Sequence, residues 1–228
     1  MDKAAFAALT DSEHWPRIHD FNFRPLTYIQ QGWFSELRVD TELVEVFSQC
    51  PDEGNQWLID KLGLGEQWVF EFPNAVSWLA LADPCHLQQI IRYCGLARWN
   101  PALRQIIWRE QRDRVRQCLG DKAYEFAVNA APLLLSQWPA HLLKKTALPQ
   151  NDNELLYALD TSGLELLTAL LPEKRSALAT RLKLKFPACF EVYFSQGEQT
   201  RFSDDARLLQ LLRKVTKVAT PQCLYLLN

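Results

Sequence analysis

Residues 83–120 read "DPCHLQQIIRYCGLARWNPALRQIIWREQRDRVRQCLG". Asp83 can accept from the free N–H groups of a helix start, Pro84 suits the first helical position, and Gly95 suits a helix end. Asn100, Pro101 and Gly120 repeat the arrangement. Two capped helices, 83–95 and 100–120, are therefore expected, and so short a link favours antiparallel neighbours. On a helical wheel from Leu103, the residues Leu103, Ile106, Ile107, Val115 and Cys118 gather on one broad arc. Arg109, Arg112 and Arg116 lie opposite, and Asp113 falls within ion-pair reach of Arg109. The second helix thus carries a basic outer face, which is either solvated or turned to a partner.

Helical signals continue downstream. Residues 121–137 are apolar enough to be central, with Pro132 expected to kink or interrupt them. "NDNELLYALDTSGLELLTALLP" offers caps at Asn151 to Asn153, keeps Leu155, Leu159, Leu166 and Leu170 at helical spacing, and stops at Pro172. Gly163 weakens its middle. Residues 173–185 suggest a basic helix. A last helix, starting at Ser203, places Leu208, Leu211, Leu212, Val215, Val218 and Ala219 on one stripe. Only "QWVFEF" (67–72) and "CFEVYF" (189–194) have strand-like content. The fold class is all-α, a single globular domain over 1–228 with an N-terminal arm, 1–30, packed on it and room for a minor β element.

Composition narrows the function. The 228 residues are 48% hydrophobic and 23% charged, ordinary globular values, but eight tryptophans point to large aromatic anchors in a core or interface. A net charge of -2 and a pI near 6.1 provide no global field to attract nucleic acid, and no nucleic-acid module is present. Charge is nonetheless polarised. Residues 36–60 hold Glu36, Asp40, Glu42, Glu45, Asp52, Glu53 and Asp60 against Arg38, whereas 98–116, 174–185 and 207–217 are basic. Such segments either attract one another within the fold or form two differently charged surfaces. "VSWLALA" (76–82) falls far short of the roughly 20 apolar residues of a membrane span, and the first residues lack a signal peptide's basic start. The chain is expected to be cytosolic, with its six scattered cysteines as buried thiols.

Catalytic signatures are missing. "GLG" at 63–65 is not followed by the Lys-Ser/Thr of a phosphate loop, and no GxSxG or HExxH occurs. Cys85, His86 and Cys94 do not have the spacing of a structural zinc site. No catalytic residue, metal ligand or cofactor is assigned.

Three segments resemble one family. "FNFRPLTYI" (21–29), "LQQIIRYCGL" (87–96) and "LLRKVTKVATPQCLYL" (211–226) are similar, in that order, to segments of the K-type accessory proteins of type III secretion, the SctK family that includes YscK and PscK. The resemblance implies a mostly helical, non-enzymatic adaptor of the sorting platform, with no membrane insertion and no nucleic-acid partner. Its implied partners are the pod protein of SctQ type and the cytoplasmic forkhead-associated domain of the SctD-type ring protein. Its implied place is cytoplasmic, peripheral to the inner membrane at the base of the apparatus. Arg109, Arg112 and Arg116 are then candidate partner-binding residues. In "FNFRPLTYI", Phe21, Phe23 and Tyr28 are candidate anchors of the N-terminal arm, with Pro25 fixing the backbone between them. An unrelated helical regulator or chaperone-like binding module is the alternative reading, and a thiol- or metal-dependent enzyme using Cys85, His86 and Cys94 is a third.

Overall fold

A computed structural model describes residues 10–134, 142–171, 176–195 and 205–227. Those residues form α1 (Trp15–Phe23), α2 (Gly32–Glu36), α3 (Thr41–Gln49), α4 (Pro51–Lys61), α5 (Ala75–Leu79), α6 (Pro84–Arg104) and α7 (Arg109–Leu119). They continue through α8 (Asp121–Glu125), α9 (Ala131–Leu134), α10 (Asp152–Ala169), α11 (Ala177–Lys183), α12 (Val192–Ser195) and α13 (Asp205–Ala219). No strand occurs among the described residues, so the chain is all-α. It divides into two compact units, Met1–Pro84 with Leu171–Gly197, and Cys85–Leu170 with Glu198–Asn228.

The second unit corrects the reading of 83–120. Helix α6 does not stop at Gly95 but runs unbroken from Pro84 to Arg104, through Asn100 and Pro101. Pro101 removes the N–H that Ala97 O would accept, and the Asn100 side chain replaces it, donating Nδ2–H to Ala97 O at 2.7 Å. One residue on, Arg98 O accepts from Lys144 N at 2.9 Å. The helix closes only at 102–106, where Gln105 N and Ile106 N reach back three residues to Ala102 O and Leu103 O.

Gly95 and Gly163 have a different task from termination. A Cβ on Gly95 would lie 1.9 Å from Leu159 O, and one on Gly163 would lie 1.7 Å from Ile91 O. Only glycine lets α6 and α10 pack backbone to backbone there. Beside this crossing, Trp99 Nε1 donates to Ser162 Oγ (2.8 Å) and Arg98 Nη1 donates to Ser162 O (2.8 Å) and Glu165 Oε2 (2.6 Å). Arg92 grips the buried Asp160 with two hydrogen bonds, 2.7 and 2.9 Å, and Gln88 adds a third. Burial raises the Asp160 carboxyl above its ordinary range, while Arg92 and Gln88 pull it back.

Local signals hold elsewhere in this unit. Asn151 Oδ1 accepts from the N–H groups of Asn153 (2.8 Å) and Glu154 (3.3 Å), capping α10. Gly120, at φ 80°, follows α7. Ahead of Pro132 the helix widens into one π-type stretch, Phe126–Ala130, before resuming as α9. The remainder of 121–137, and Ser203, lie outside the described residues. In α13, Leu208, Leu211, Leu212 and Val215 are buried, but Val218 is exposed. Its place is taken by Thr216 and Thr220, which continue the four-residue row from Leu208 and Leu212.

The first unit buries two cations from the stretch expected to be a basic helix. Ser176 caps α11 through Ala179 N at 3.3 Å, and its C-terminal side turns inward. Arg181 donates to Leu64 O (2.6 Å) and Gln67 O (2.9 Å) and lies over the Trp68 ring. Lys185 Nζ donates to Ala82 O at 2.8 Å and sits 5.1 and 5.0 Å from the rings of Phe21 and Tyr28. Gln30 N and Trp33 Nε1 donate to Leu184 O and Phe186 O, both at 2.9 Å. Residues 172–175 are outside the described set.

The two strand-like segments find other partners. Residues 68–73 form no regular element, and the buried Asn22 side chain accepts from Val69 N and donates to Val69 O, both at 2.7 Å. Residues 189–194 form part of a 3-10 turn, Ala188–Phe190, and of α12. Aromatic side chains here pack as core and cap rather than as a pleated face.

Candidate partner-binding surfaces

Helix α7 begins at Arg109 because the chain at 105–108 leaves helical geometry, with Trp108 extended at φ -72° and ψ 127°. β-Branched and aromatic residues in succession are weak helix formers, and Ile106, Ile107 and Trp108 supply such a run. The expected continuous arc from Leu103 to Cys118 is therefore broken. Leu103 is buried in α6, Val115 is the buried residue of α7, and Ile107 and Trp108 are 85% and 76% exposed. Arg109 and Arg112 are exposed, with Arg109 Nε 3.5 Å from Asp113 Oδ2. Arg116 is exposed and pairs with Asp121 beyond Gly120. Arg114, between them, turns inward and donates to Pro149 O at 2.9 Å. The structure thus sets the three arginines beside an exposed Ile107–Trp108 pair, of which helical periodicity had placed Ile107 on the apolar arc.

The candidate N-terminal anchors lie in the first unit. Phe21 and Pro25 are buried, and Tyr28 is buried with its hydroxyl donating to Phe21 O at 2.9 Å. Phe23 is only half-buried, in an aromatic group with His19, Trp68 and Phe70. Desolvation raises the Tyr28 phenol above its ordinary value, against the nearby Arg181 charge. Desolvation likewise pushes the Lys185 ammonium down to about 7, with Asp83 opposing and Arg17 assisting. A lysine whose charged form is disfavoured by burial among aromatic faces is an unusual tenant of a core.

Sequence reasoning missed a cleft of about 440 Å³ in the same unit. Leu26, Ile29, Phe34, Val44 and Phe47 give it an apolar lining, and its exposed lining residues include Arg24, Ser48 and Asp52. Gly54 lets α4 approach closely, since a Cβ there would lie 2.8 Å from Leu26 Cδ1 and 2.9 Å from Phe47 Cβ. Asn55 Oδ1 accepts from Leu26 N at 2.9 Å and fixes the 3-10 turn Pro25–Thr27 against α4. Two further apolar residues of α3, Leu43 and Val46, are exposed. All seven carboxylates of 36–60 are exposed, and none is ion-paired with a described residue.

The cysteines correct another expectation. Cys94 and Cys223 are buried, but Cys50, Cys85 and Cys189 are exposed and Cys118 is intermediate. Burial pushes the Cys94 thiol up to about 12, against the pull of Arg98, so it is not a thiolate at neutral pH. His86 Nε2 lies 3.0 Å from Gln222 Nε2. Among the described residues, no group of three or more His, Cys, Asp or Glu is placed to hold a metal ion. No helix among them is long and apolar enough to cross a membrane.

Comparison with known proteins adds one finding to this geometry. A family model described as "YOP proteins translocation protein K (YscK)" matches residues 17–228. Searches of curated proteins and of solved structures gave no significant match.

Proposed function

The chain belongs to the YscK family of type III secretion proteins, and on that basis we propose that it is a non-enzymatic adaptor of the sorting platform. It joins the pod protein of SctQ type to the cytoplasmic forkhead-associated domain of the SctD-type inner-membrane ring protein, on the cytoplasmic side at the base of the apparatus. The observation that carries this reading is a pair of exposed surfaces of opposite chemistry. One is the Ile107–Trp108 pair with the arginines of α7, in the second unit. The other is the apolar cleft beside α3 and its acidic surroundings, in the first. Tryptophan and arginine are the residue types most often responsible for binding energy at interfaces, and an exposed Trp next to arginines fits an acidic partner face.

Reversing Arg109, Arg112 and Arg116 to Glu tests the basic surface. Folding should be nearly unchanged, because exposed charges contribute little to it. Pull-down of the pod protein and of the ring protein's cytoplasmic domain, beside secretion in cells, reads the effect. Loss of one partner by at least about tenfold, with the other retained, assigns the face. Survival of both bindings and of secretion would return α7 to a merely solvated helix.

A further inference from the structure

We infer that the cleft beside α3 is the seat of a basic, apolar-faced peptide segment from a partner polypeptide; this rests on the adaptor reading and gives it a second, chemically defined contact. Three observations select that occupant. The lining is apolar, and the volume of about 440 Å³ falls within the roughly 300–1,000 Å³ that ligand pockets enclose. Leu43 and Val46 of α3, next in sequence to the lining residues Val44 and Phe47, are exposed as well and add apolar area outside the cleft itself. An extended segment with side chains at successive helical turns would cover both. Charge then specifies its sign. Glu36, Asp40, Glu42, Glu45, Asp52 and Glu53 are all exposed on and around α3, against Arg24 and Arg38. Arg24 is already close to Asp20, 3.7 Å away, whereas Asp52 is at the mouth without an ion pair among described residues. Lysines or arginines on the flank of the incoming segment would meet Asp52 and the acids of α3, and its apolar side chains would contact Phe34, Val44 and Phe47.

The test uses the full chain and a synthetic peptide of about five helical turns, leucines on one side and lysines on the other. A twin peptide carries glutamate in place of every lysine, and binding is followed by fluorescence anisotropy. Ser48→Trp fills the cleft from an exposed helical position, and Asp52→Lys reverses the charge at the mouth. Asp60→Lys reverses an acid of the same segment that does not line the cleft. Unchanged far-ultraviolet spectra and melting curves establish that all three variants fold. The lysine peptide should bind and the glutamate twin should not. Ser48→Trp and Asp52→Lys should each weaken binding by about tenfold or more, and Asp60→Lys by less than about threefold. Equal weakening by Asp60→Lys would mean diffuse attraction to acids and would overturn the proposal, as would full binding by Ser48→Trp. Self-association of the chain that Ser48→Trp abolishes would make a second copy the occupant, which also overturns it. In cells, Ser48→Trp should lose one of the two platform partners; retention of both would remove the cleft from the adaptor reading while leaving that reading intact. An unsubstituted chain that takes the lysine peptide but captures neither platform partner overturns the adaptor reading alone.

Discussion

Gly163→Ala should be the most damaging single-methyl addition in the second unit. The new Cβ would lie 1.7 Å from Ile91 O, where ordinary contact begins at 3.4 Å. The partner is helical backbone, so relief requires α6 and α10 to part by about 1.7 Å rather than one rotamer to turn. Gaps of about 0.5–1 Å already forfeit a quarter to a half of the dispersion well. Parting by that distance would also stretch the 2.8 Å bonds of Trp99 and Arg98 to Ser162 beyond hydrogen-bonding range. Overpacking costs about 1–3 kcal/mol and two lost hydrogen bonds about 2 more, while alanine's better helix propensity returns about 1. A net loss of roughly 2–4 kcal/mol follows, a large share of a typical domain's stability. Gly95→Ala, 1.9 Å from Leu159 O, should behave alike. Gly32→Ala is the control, because a Cβ there meets nothing within 4 Å, and it should change stability by less than about 1 kcal/mol. Urea midpoints followed by far-ultraviolet circular dichroism give the comparison. A Gly163→Ala protein as stable as the Gly32→Ala control would show that the helices do not cross backbone to backbone.

Two further outcomes concern the first unit. The Lys185 pKa of about 7 lies below its ordinary 10.5, so between those values the unfolded chain holds a proton that the folded chain has released. Stability should therefore rise with pH across that window, by at most about 1.4 kcal/mol per pH unit from this group, and Lys185→Met should flatten the rise. Urea midpoints from about pH 6 to about pH 9 measure it, and identical slopes in the two proteins would sink the assignment. Phe21→Ala should cost about 3–5 kcal/mol because the ring is fully buried, and Phe23→Ala roughly half as much. Equal melting-temperature losses at the two positions would contradict the burial difference.

Signals that act within a few residues were readable from the chain alone. Asn151, Pro84 and Gly120 sit at or next to helix ends because capping is a local exchange of hydrogen bonds. Gly95 was misread because a residue without Cβ serves both helix termination and close approach, and Gly163 read only as a weak point of its helix; the partner helix gives each its role. Pro101 stays inside α6 because Asn100 supplies the missing donor, a compensation that no wheel displays. Arg98, Arg181 and Lys185 belong to stretches that read as basic segments drawn to acidic ones or forming a charged surface, yet each is buried against carbonyl oxygens from distant parts of the chain. The family resemblance, carried by the order of three segments, agrees with the match over 17–228. The cleft was hidden because its lining comes from 24–34, 44–48 and 51–55, and no one of these segments shows that it meets the other two.

The divided first unit has a consequence for synthesis. When residue 84 leaves the ribosome, the carbonyls of Leu64, Gln67 and Ala82 still lack their donors, because Arg181 and Lys185 lie about 100 residues later. At about 5–20 residues per second, translation needs about 5–20 seconds to deliver them. Over that interval α6 to α10 emerge with their own glycine crossing and capped starts. The middle of the chain can thus order itself before the beginning, and the carbonyls of Leu64, Gln67 and Ala82 wait for α11 and Lys185 to arrive.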